Sequence, residues 1–129
     1  MFQINIFNRK PIYEQLIDQT ERLILTGILT EEEQLPSVRS LSVELSVNPN
    51  TIQKAYAELD RRGLTYVIPG RGNFVSAQAK EKIRQMKLSQ MGAFAMSVRE
   101  LAMAGIRKEE VIQCVEEAYR KEGESAGLR

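Results

Sequence analysis

Histidine and tryptophan are absent from this chain of 129 residues, and cysteine occurs once, at Cys114. A single cysteine cannot close an internal disulfide, and a chain without histidine lacks a usual zinc ligand and the usual base of a cysteine nucleophile. Glu31, Glu32 and Glu33 are consecutive, which is typical of a solvated run rather than of a paired acid and base. We therefore expect no bound metal, no cofactor and no enzymatic activity.

Long apolar runs and an excess of one charge are also missing. No stretch approaches the roughly 18 apolar residues that span a bilayer, and the N-terminus lacks the basic-then-apolar order of a secretory signal. These absences predict a cytoplasmic protein without a membrane partner. The 18 basic and 17 acidic side chains give a net charge of +1, so a nucleic-acid function would have to rest on the local placement of charge.

The hydrophobic content of 43% is enough to build a core, and the first half of the chain is patterned for three short helices. Residues 1–8 alternate in polarity and predict a short strand or an extended arm. Helix 1 is predicted from Pro11 to Gly27, where proline suits a first turn and glycine an end. Ser37 is placed to cap helix 2, which should end near Leu45, and Asn48 is placed to cap helix 3 over residues 49–62.

A β-hairpin is predicted after helix 3. Residues 64–68 and 73–75 are rich in β-forming residues, and Pro69-Gly70-Arg71-Gly72 between them is typical of a turn. Three helices followed by a hairpin predict a mostly α fold, a winged helix-turn-helix over residues 1–76. In that fold helix 3 lies in the major groove of DNA and the hairpin, or wing, reaches the minor groove or the phosphates.

Polar side chains cover the face of helix 3 opposite its apolar stripe. Asn and Gln can pair with adenine, Thr can contact a thymine methyl or a phosphate, and Lys can contact guanine or a phosphate. The candidate base-contacting residues on this face are Asn50, Thr51, Gln53 and Lys54.

Other candidates have plainer explanations as well. Ser37 at a helix N-terminus can hold a phosphate, whereas capping alone accounts for Asn48. By position, Arg39 is a solvated residue and Arg71 an exposed turn residue. The glycines around Arg71 suit both the hairpin turn and a close approach of the wing to the duplex.

An apolar seam follows Ser76, along one helix over residues 80–104 and a last helix over residues 108–121, with a frayed tail at residues 122–129. A two-helix hairpin cannot hide so wide a stripe from water, so we expect residues 77–129 to dimerise with the same segment of a second chain. The predicted contacts share an apolar or aromatic character on this seam: Met86, Met91, Phe94, Val98, Leu101, Val111, Val115 and Tyr119.

These motifs together resemble the GntR family of bacterial transcription regulators, and specifically its short YtrA-like subfamily. The matching segments follow one another over residues 11–75. They are Pro-Ile-Tyr-Glu-Gln-Leu from Pro11, Gly-Ile-Leu from Gly27, Leu-Pro-Ser-Val-Arg from Leu35, Val-Asn-Pro-Asn-Thr from Val47, Ala55-Tyr56 with Leu59, and Gly-Arg-Gly-Asn-Phe-Val from Gly70.

The resemblance implies a homodimeric repressor that binds a palindromic operator, often that of a transporter operon. The resemblance favours the interpretation of Arg39 and the wing residues as DNA contacts over their interpretation as solvated residues. The family's contacts fall on the positions of Arg39, Asn48, Asn50, Thr51, Gln53, Gly70 and Arg71, and we add Gly72 for the approach of the wing.

Three residues depart from the family pattern. Glu32 and Ser46 stand where glycine is common, and Asn73 replaces a usual threonine in the wing. If the backbone at Ser46 is left-handed, that residue costs about 1 kcal/mol of stability.

One rival function is a protein-interaction module that uses the winged helix as a scaffold, which the near-neutral charge favours. A strong dependence of DNA affinity on salt would count against this rival. A small-molecule effector is not indicated by the sequence. An effector would have to bind at the dimer interface or between the two domains.

Overall fold

The computed structural model describes residues 1–127 and has six α-helices and one two-stranded antiparallel sheet in that range. This confirms the predicted mostly α fold with a small hairpin. In chain order the elements are α1 (Ile12–Leu25), α2 (Val38–Leu45), α3 (Pro49–Arg61), β1 (Thr65–Ile68), β2 (Gly72–Val75), α4 (Ala79–Leu88), α5 (Met91–Met103) and α6 (Lys108–Gly127).

The predicted capping residues begin α2 and α3. The Ser37 hydroxyl oxygen accepts the backbone N–H of Ser40 at 3.0 Å, and the Asn48 amide oxygen accepts that of Asn50 at 2.8 Å. Each bond satisfies one of the N–H groups that a helix leaves unpaired in its first turn. The starts of both helices are therefore encoded locally.

In the described part of the chain two non-glycine residues have left-handed backbones, with φ of 65° at Glu32 and 55° at Ser46. Ser46 lies between α2 and α3. Because its backbone is left-handed, the loss of stability predicted for serine at this position applies. The side chain of Glu32 accepts a hydrogen bond from the Tyr66 hydroxyl. That bond ties the connector before α2 to the first strand.

One hydrophobic core joins α1, α2, α3, the hairpin and the start of α4. Its members are all buried side chains: Phe2, Leu16, Ile17, Ile24, Leu29, Leu35, Leu41, Ile52, Ala55, Tyr56, Leu59, Leu64, Val75, Ala79 and Ile83. Phe2 belongs to the N-terminal arm, whose residues 1–5 form neither a helix nor a strand. The backbone N–H of Asn5 donates to the Gln15 amide oxygen at 3.0 Å and holds this arm on α1.

The acidic connector between α1 and α2 pairs with the sheet. The backbone N–H of Glu32 donates to the carbonyl of Val75 at 2.8 Å, and that of Leu35 donates to the carbonyl of Asn73 at 2.9 Å. The prediction of a merely solvated connector was therefore incomplete. The Glu31 and Glu32 side chains are exposed, but the backbone below them extends the two-stranded sheet.

The chain divides into two compact units, residues 1–85 and residues 86–129. The predicted domain boundary, between residues 76 and 77, lies before this division. Ala79 and Ile83 account for the difference, because both are buried in the winged-helix core although they belong to α4. The winged-helix unit thus includes most of that helix.

The segment predicted as one helix over residues 80–104 is two helices, and this part of the prediction was wrong. The Ser89 hydroxyl donates to the carbonyl of Met86 at 2.6 Å, where α4 ends. Serine competes with the helix backbone in this way and favours an end. The chain turns at residues 89–90, and α5 begins at Met91.

The last helix is longer than predicted. It runs to Gly127, and Arg120 forms ion pairs with Glu117 and Glu124 one turn away on either side. Residues 122–127 of the predicted frayed tail are therefore helical, and residues 128–129 lie outside the described part of the chain. Among residues 1–127, no helix is both long and apolar enough to cross a membrane.

Candidate nucleic-acid interface

Two side-chain hydrogen bonds hold the helix-turn-helix together, one to the residue pair before α2 and one to the turn between α2 and α3. The Tyr56 hydroxyl donates to the carbonyl of Pro36 at 2.7 Å, and the Ser42 hydroxyl donates to the carbonyl of Val47. Burial raises the pKa of Tyr56, so its hydroxyl stays protonated and remains a donor. These bonds fix α3 against α2, with the apolar stripe of α3 in the core and its other face outward.

That outward face carries unpaired polar groups. Asn50 and Gln53 are exposed, and within residues 1–127 no partner is recorded for either side-chain amide. Thr51 is half-buried beside them. Free amides in the first two turns of an outward-facing helix have the chemistry that pairs with base edges.

Ser37 and Asn48 have already used part of their capacity for hydrogen bonds. Each accepts a backbone N–H as a helix cap, so its side-chain oxygen is engaged. The Ser37 hydroxyl hydrogen and the Asn48 amide N–H groups can still donate to phosphate oxygens. Both residues are exposed, so capping and DNA contact are compatible at each.

Arg39 projects from α2 and is exposed, and in the described range no ion pair is recorded for its guanidinium. One turn further along the same helix Val43 is 75% exposed, a residue that sequence reasoning missed. Its spacing from Arg39 places both on one side of the helix. The outer side of α2 therefore combines a free cation with an apolar contact.

The wing tip is shaped by two glycines and held by a residue outside the hairpin. Gly70 and Gly72 have φ of 77° and 121°, values that favour glycine. The Gln34 side-chain amide donates to the carbonyl of Arg71 at 2.6 Å, and a Cβ built on Gly72 would lie 2.9 Å from that amide nitrogen. Arg71 is thus exposed on a turn that the connector holds.

Gln34 was not predicted as a site residue. Its only sequence signal is its place just before the Leu35-Pro36 pair, and its partner Arg71 lies 37 residues further along the chain. Tyr66 and Phe74 support the same hairpin with stacked rings whose centres are 5.8 Å apart. The wing is therefore stiffened both at its tip and along its strands.

A charged groove of about 630 Å³ lies between α1 and α3. Glu58 accepts a 2.7 Å hydrogen bond from Nε of Arg61 and a 3.2 Å bond from Nε of Arg62. Arg61 first, and Arg62 second, lower the pKa of Glu58 to about 2. Arg62 also pairs at 3.0 Å with the buried Glu21, so the ion pairs link the two helices.

Lys54 borders the same groove but is not in that network. Its ammonium lies 3.9 Å from the centre of the Tyr13 ring on α1. A cation this close to an aromatic face is attracted by the ring quadrupole. Lys54 therefore points toward α1, which differs from the simple outward direction that helix spacing suggests.

The predicted dimer contacts all lie outside the winged-helix core. Val98 and Val111 are half-buried, and the other six are exposed. Phe94, Val98 and Val111 line an apolar groove of about 680 Å³ formed by α5, α6 and the turn between them. Among residues 1–127 no cluster of three or more His, Cys, Asp or Glu side chains is arranged to hold a metal ion.

Comparison with known proteins identifies this architecture. The family model described as "Bacterial regulatory proteins, gntR family" matches residues 12–75. The transcriptional repressor YtrA of Bacillus subtilis is 43% identical over 89 residues, which is 69% of this chain and 68% of the relative. The chain belongs to the GntR family. Within that family it is a YtrA-like, DNA-binding transcription regulator, as the sequence motifs predicted, and not an enzyme.

Solved structures of GntR proteins match beyond the residues of the family model. A GntR-family regulator from Listeria monocytogenes is 34% identical, with a TM-score of 0.68 over 85% of this chain and 96% of that chain. The DNA-binding domain of AraR in complex with operator ORX1 is 29% identical, with a TM-score of 0.50 over 59% of this chain and 93% of that chain. The winged-helix fold is thereby confirmed.

Proposed function

We propose that this GntR regulator is a homodimeric repressor that reads a palindromic operator with α3, α2 and the wing, and that the operon it controls encodes a transporter. The transporter operon follows from the family resemblance alone. The observation that carries the DNA contact is the exposed face of α3, where Asn50 and Gln53 keep free amides while the other face is buried.

Base reading falls to Asn50 and Gln53, with Thr51 beside them, because amides can form paired hydrogen bonds with adenine. Register is set by contacts to phosphates, which carry no sequence information themselves. The candidates for these contacts lie at the N-cap of α2, on α2, at the N-cap of α3 or in the wing: Ser37, Arg39, Asn48, Gly70, Arg71 and Gly72.

Dimerisation through the C-terminal unit is supported by the exposure of residues 86–125. Phe94 is 49% exposed, Leu101 is 42% exposed and Ile112 is 44% exposed, and none of the residues described from 86 to 125 is fully buried. Single exposed apolar residues are ordinary, whereas a continuous seam of them marks an interface. A second copy of the same seam is the occupant that symmetric pairing supplies, and two-fold symmetry in the protein calls for a palindrome in the DNA.

Repression is supported by the relatives. The B. subtilis YtrA protein is named a transcriptional repressor, and the structure of the AraR domain contains an operator.

The test begins with selection of duplexes from a randomised library by the wild-type chain. We expect enrichment of one palindromic sequence. Arg39→Ala should weaken binding to that sequence on the order of tenfold, since a charge-assisted contact to phosphate is lost. Its melting temperature should stay within a few degrees of the wild-type value, because Arg39 is exposed and unpaired.

Arg99→Ala is the matched control, since Arg99 is an exposed arginine in the C-terminal unit. It should bind like the wild type. Unchanged binding by Arg39→Ala would remove Arg39 from the interface. Selection that enriches no sequence, together with binding insensitive to salt, would favour the protein-interaction module instead.

A further inference from the structure

We propose that Tyr13 of α1 and Lys54 of α3 form a phosphate clamp, in which the tyrosine ring holds the lysine ammonium in place for a backbone phosphate of the bound duplex. This inference rests on the proposed DNA-binding function and adds a residue from outside the helix-turn-helix to the interface. It also assigns Lys54 to the phosphates rather than to the bases.

Lys54 has an obvious ion-pair partner that it does not use. Glu58 lies four residues further along α3, the spacing at which oppositely charged side chains on a helix attract. Both oxygens of Glu58 are already engaged by Arg61 and Arg62, at 2.7 Å and 3.2 Å. Both oxygens of the Glu58 carboxylate therefore already have arginine partners.

The two carboxylates on the α1 side of the groove are engaged as well. Glu14 accepts the Tyr13 hydroxyl hydrogen at 3.3 Å, and Asp18 pairs with Lys10. Within the described part of the chain no ion pair is recorded for Lys54, which instead lies over the Tyr13 ring. Its positive charge is therefore held by a neutral group and is not cancelled.

A cation held in this way suits an anion that arrives later. A ring restricts the flexible stem of lysine, so less entropy is lost when the ammonium meets its anion. Lys54 lies about one turn beyond Asn50, beside α1 rather than at the outermost line of α3. The first turns of a recognition helix contact bases, and the next positions at its side meet the phosphates that border the groove.

Four variants of the full chain test the clamp: Lys54→Met, Tyr13→Leu, Tyr13→Phe and the Lys54→Met, Tyr13→Leu double variant. Affinity is measured over a range of salt for two duplexes, the selected sequence and a scrambled one of equal composition. Lys54→Met should weaken binding to both on the order of tenfold and lower the salt slope by about 0.9 for each bound copy.

Tyr13→Leu should lose affinity for both duplexes in the same way, while Tyr13→Phe should bind like the wild type because it keeps the ring. The double variant should bind DNA with the same affinity as Lys54→Met, since each single change already disables the same clamp. Nuclear magnetic resonance supplies a readout without DNA. The ring shifts the Lys54 ε-methylene signals upfield, and this shift should persist in Tyr13→Phe and vanish in Tyr13→Leu.

Three results would overturn the clamp. Lys54→Met could leave affinity and salt slope unchanged for both duplexes, or it could weaken only the selected one, which would make Lys54 a base reader. Tyr13→Leu could bind normally with an unchanged melting temperature. A wild type that prefers no sequence while both losses occur would refute the proposed operator function and leave the clamp standing.

Discussion

The two units of this protein carry similar apolar stripes but bury them to different degrees. In residues 1–85 the stripes of α1 and α3 face each other, and Ile52, Leu41 and Leu59 are completely buried. In residues 86–127 the stripes of α5 and α6 leave an open apolar groove, with Phe94 and Ile112 close to half exposed. The sequence of an amphipathic helix therefore specifies which face must be buried. The surrounding structure determines whether that face packs on the same chain or remains exposed for a second one.

The largest expected effect is the difference in lost stability between alanine substitutions of two isoleucines, one in each unit. Ile52→Ala should lower the free energy of unfolding of the winged-helix unit by about 2–5 kcal/mol, because it leaves a cavity in a closed core. Ile112→Ala should cost less than about 1 kcal/mol in dilute protein, since its side chain is already 44% exposed. Urea denaturation measures both. Equal losses in dilute protein would mean that α6 has a packed core of its own and that the two units bury their stripes to the same degree.

A negative charge introduced on the apolar seam should dissociate the proposed dimer. Val98→Asp places a carboxylate in the apolar groove of α5 and α6, and an unpaired buried charge costs about 3 kcal/mol or more. The dimer dissociation constant should then rise by about 100-fold or more, measured by sedimentation equilibrium.

Met103→Asp is the control for this change, because Met103 is 84% exposed and does not line the groove. It should remain as dimeric as the wild type. A dimer of unchanged affinity in Val98→Asp would place the interface on another surface, and the two units would then differ less than we propose.

Acid should weaken the winged-helix unit through Glu58. The folded state lowers the pKa of Glu58 from an ordinary 4.5 to about 2, so its stabilisation is complete above about pH 5 and is lost as the pH falls toward 2. Glu58→Gln should therefore lose less stability than the wild type between those values, in urea titrations followed by circular dichroism. Glu31→Gln, at an exposed residue of the connector, should keep the wild-type acid sensitivity.

The smallest effect concerns the left-handed turn before α3. Ser46→Gly should raise the stability of the winged-helix unit by about 1 kcal/mol, since glycine adopts a φ of 55° without the Cβ strain of serine. Ser40→Gly, in the first turn of α2, should instead lower stability by about 0.5 kcal/mol. Thermal melts of both variants decide this, and a destabilised Ser46→Gly would show that the strain is relieved elsewhere.

Much of the winged helix could be predicted because its signals are local. Ser37 and Asn48 mark the helix starts because each accepts a hydrogen bond from a residue only two or three positions further along the chain. The 3.6-residue period places Ile52 and Leu59 in the core without further information. The turn at Ser89 was missed because a serine inside a good helical pattern usually stays helical, and its bond to Met86 became visible only in the structure.

The residues that form or support the proposed DNA interface divide in the same way. Asn50 and Gln53 follow from the helical face alone, because a residue opposite a buried stripe must be exposed. Gln34 and Tyr13 could not be predicted, since their partners Arg71 and Lys54 are distant in the sequence and no periodicity connects them. For this reason the sequence predicted an outward-pointing Lys54, whereas in the structure its side chain points toward Tyr13 on α1.

The sequence alone was enough to predict the approximate ends of α1, α2 and α3, which faces are apolar, and, through its motifs, the family. These properties depend on caps, turns and periodicity within a few residues. The pairing of Arg62 with Glu21, the position of Lys54 over Tyr13, and the burial of Ala79 and Ile83 in the winged-helix core arise only in the tertiary structure. Such outcomes depend on which distant groups meet, and neighbouring residues along the chain do not encode that.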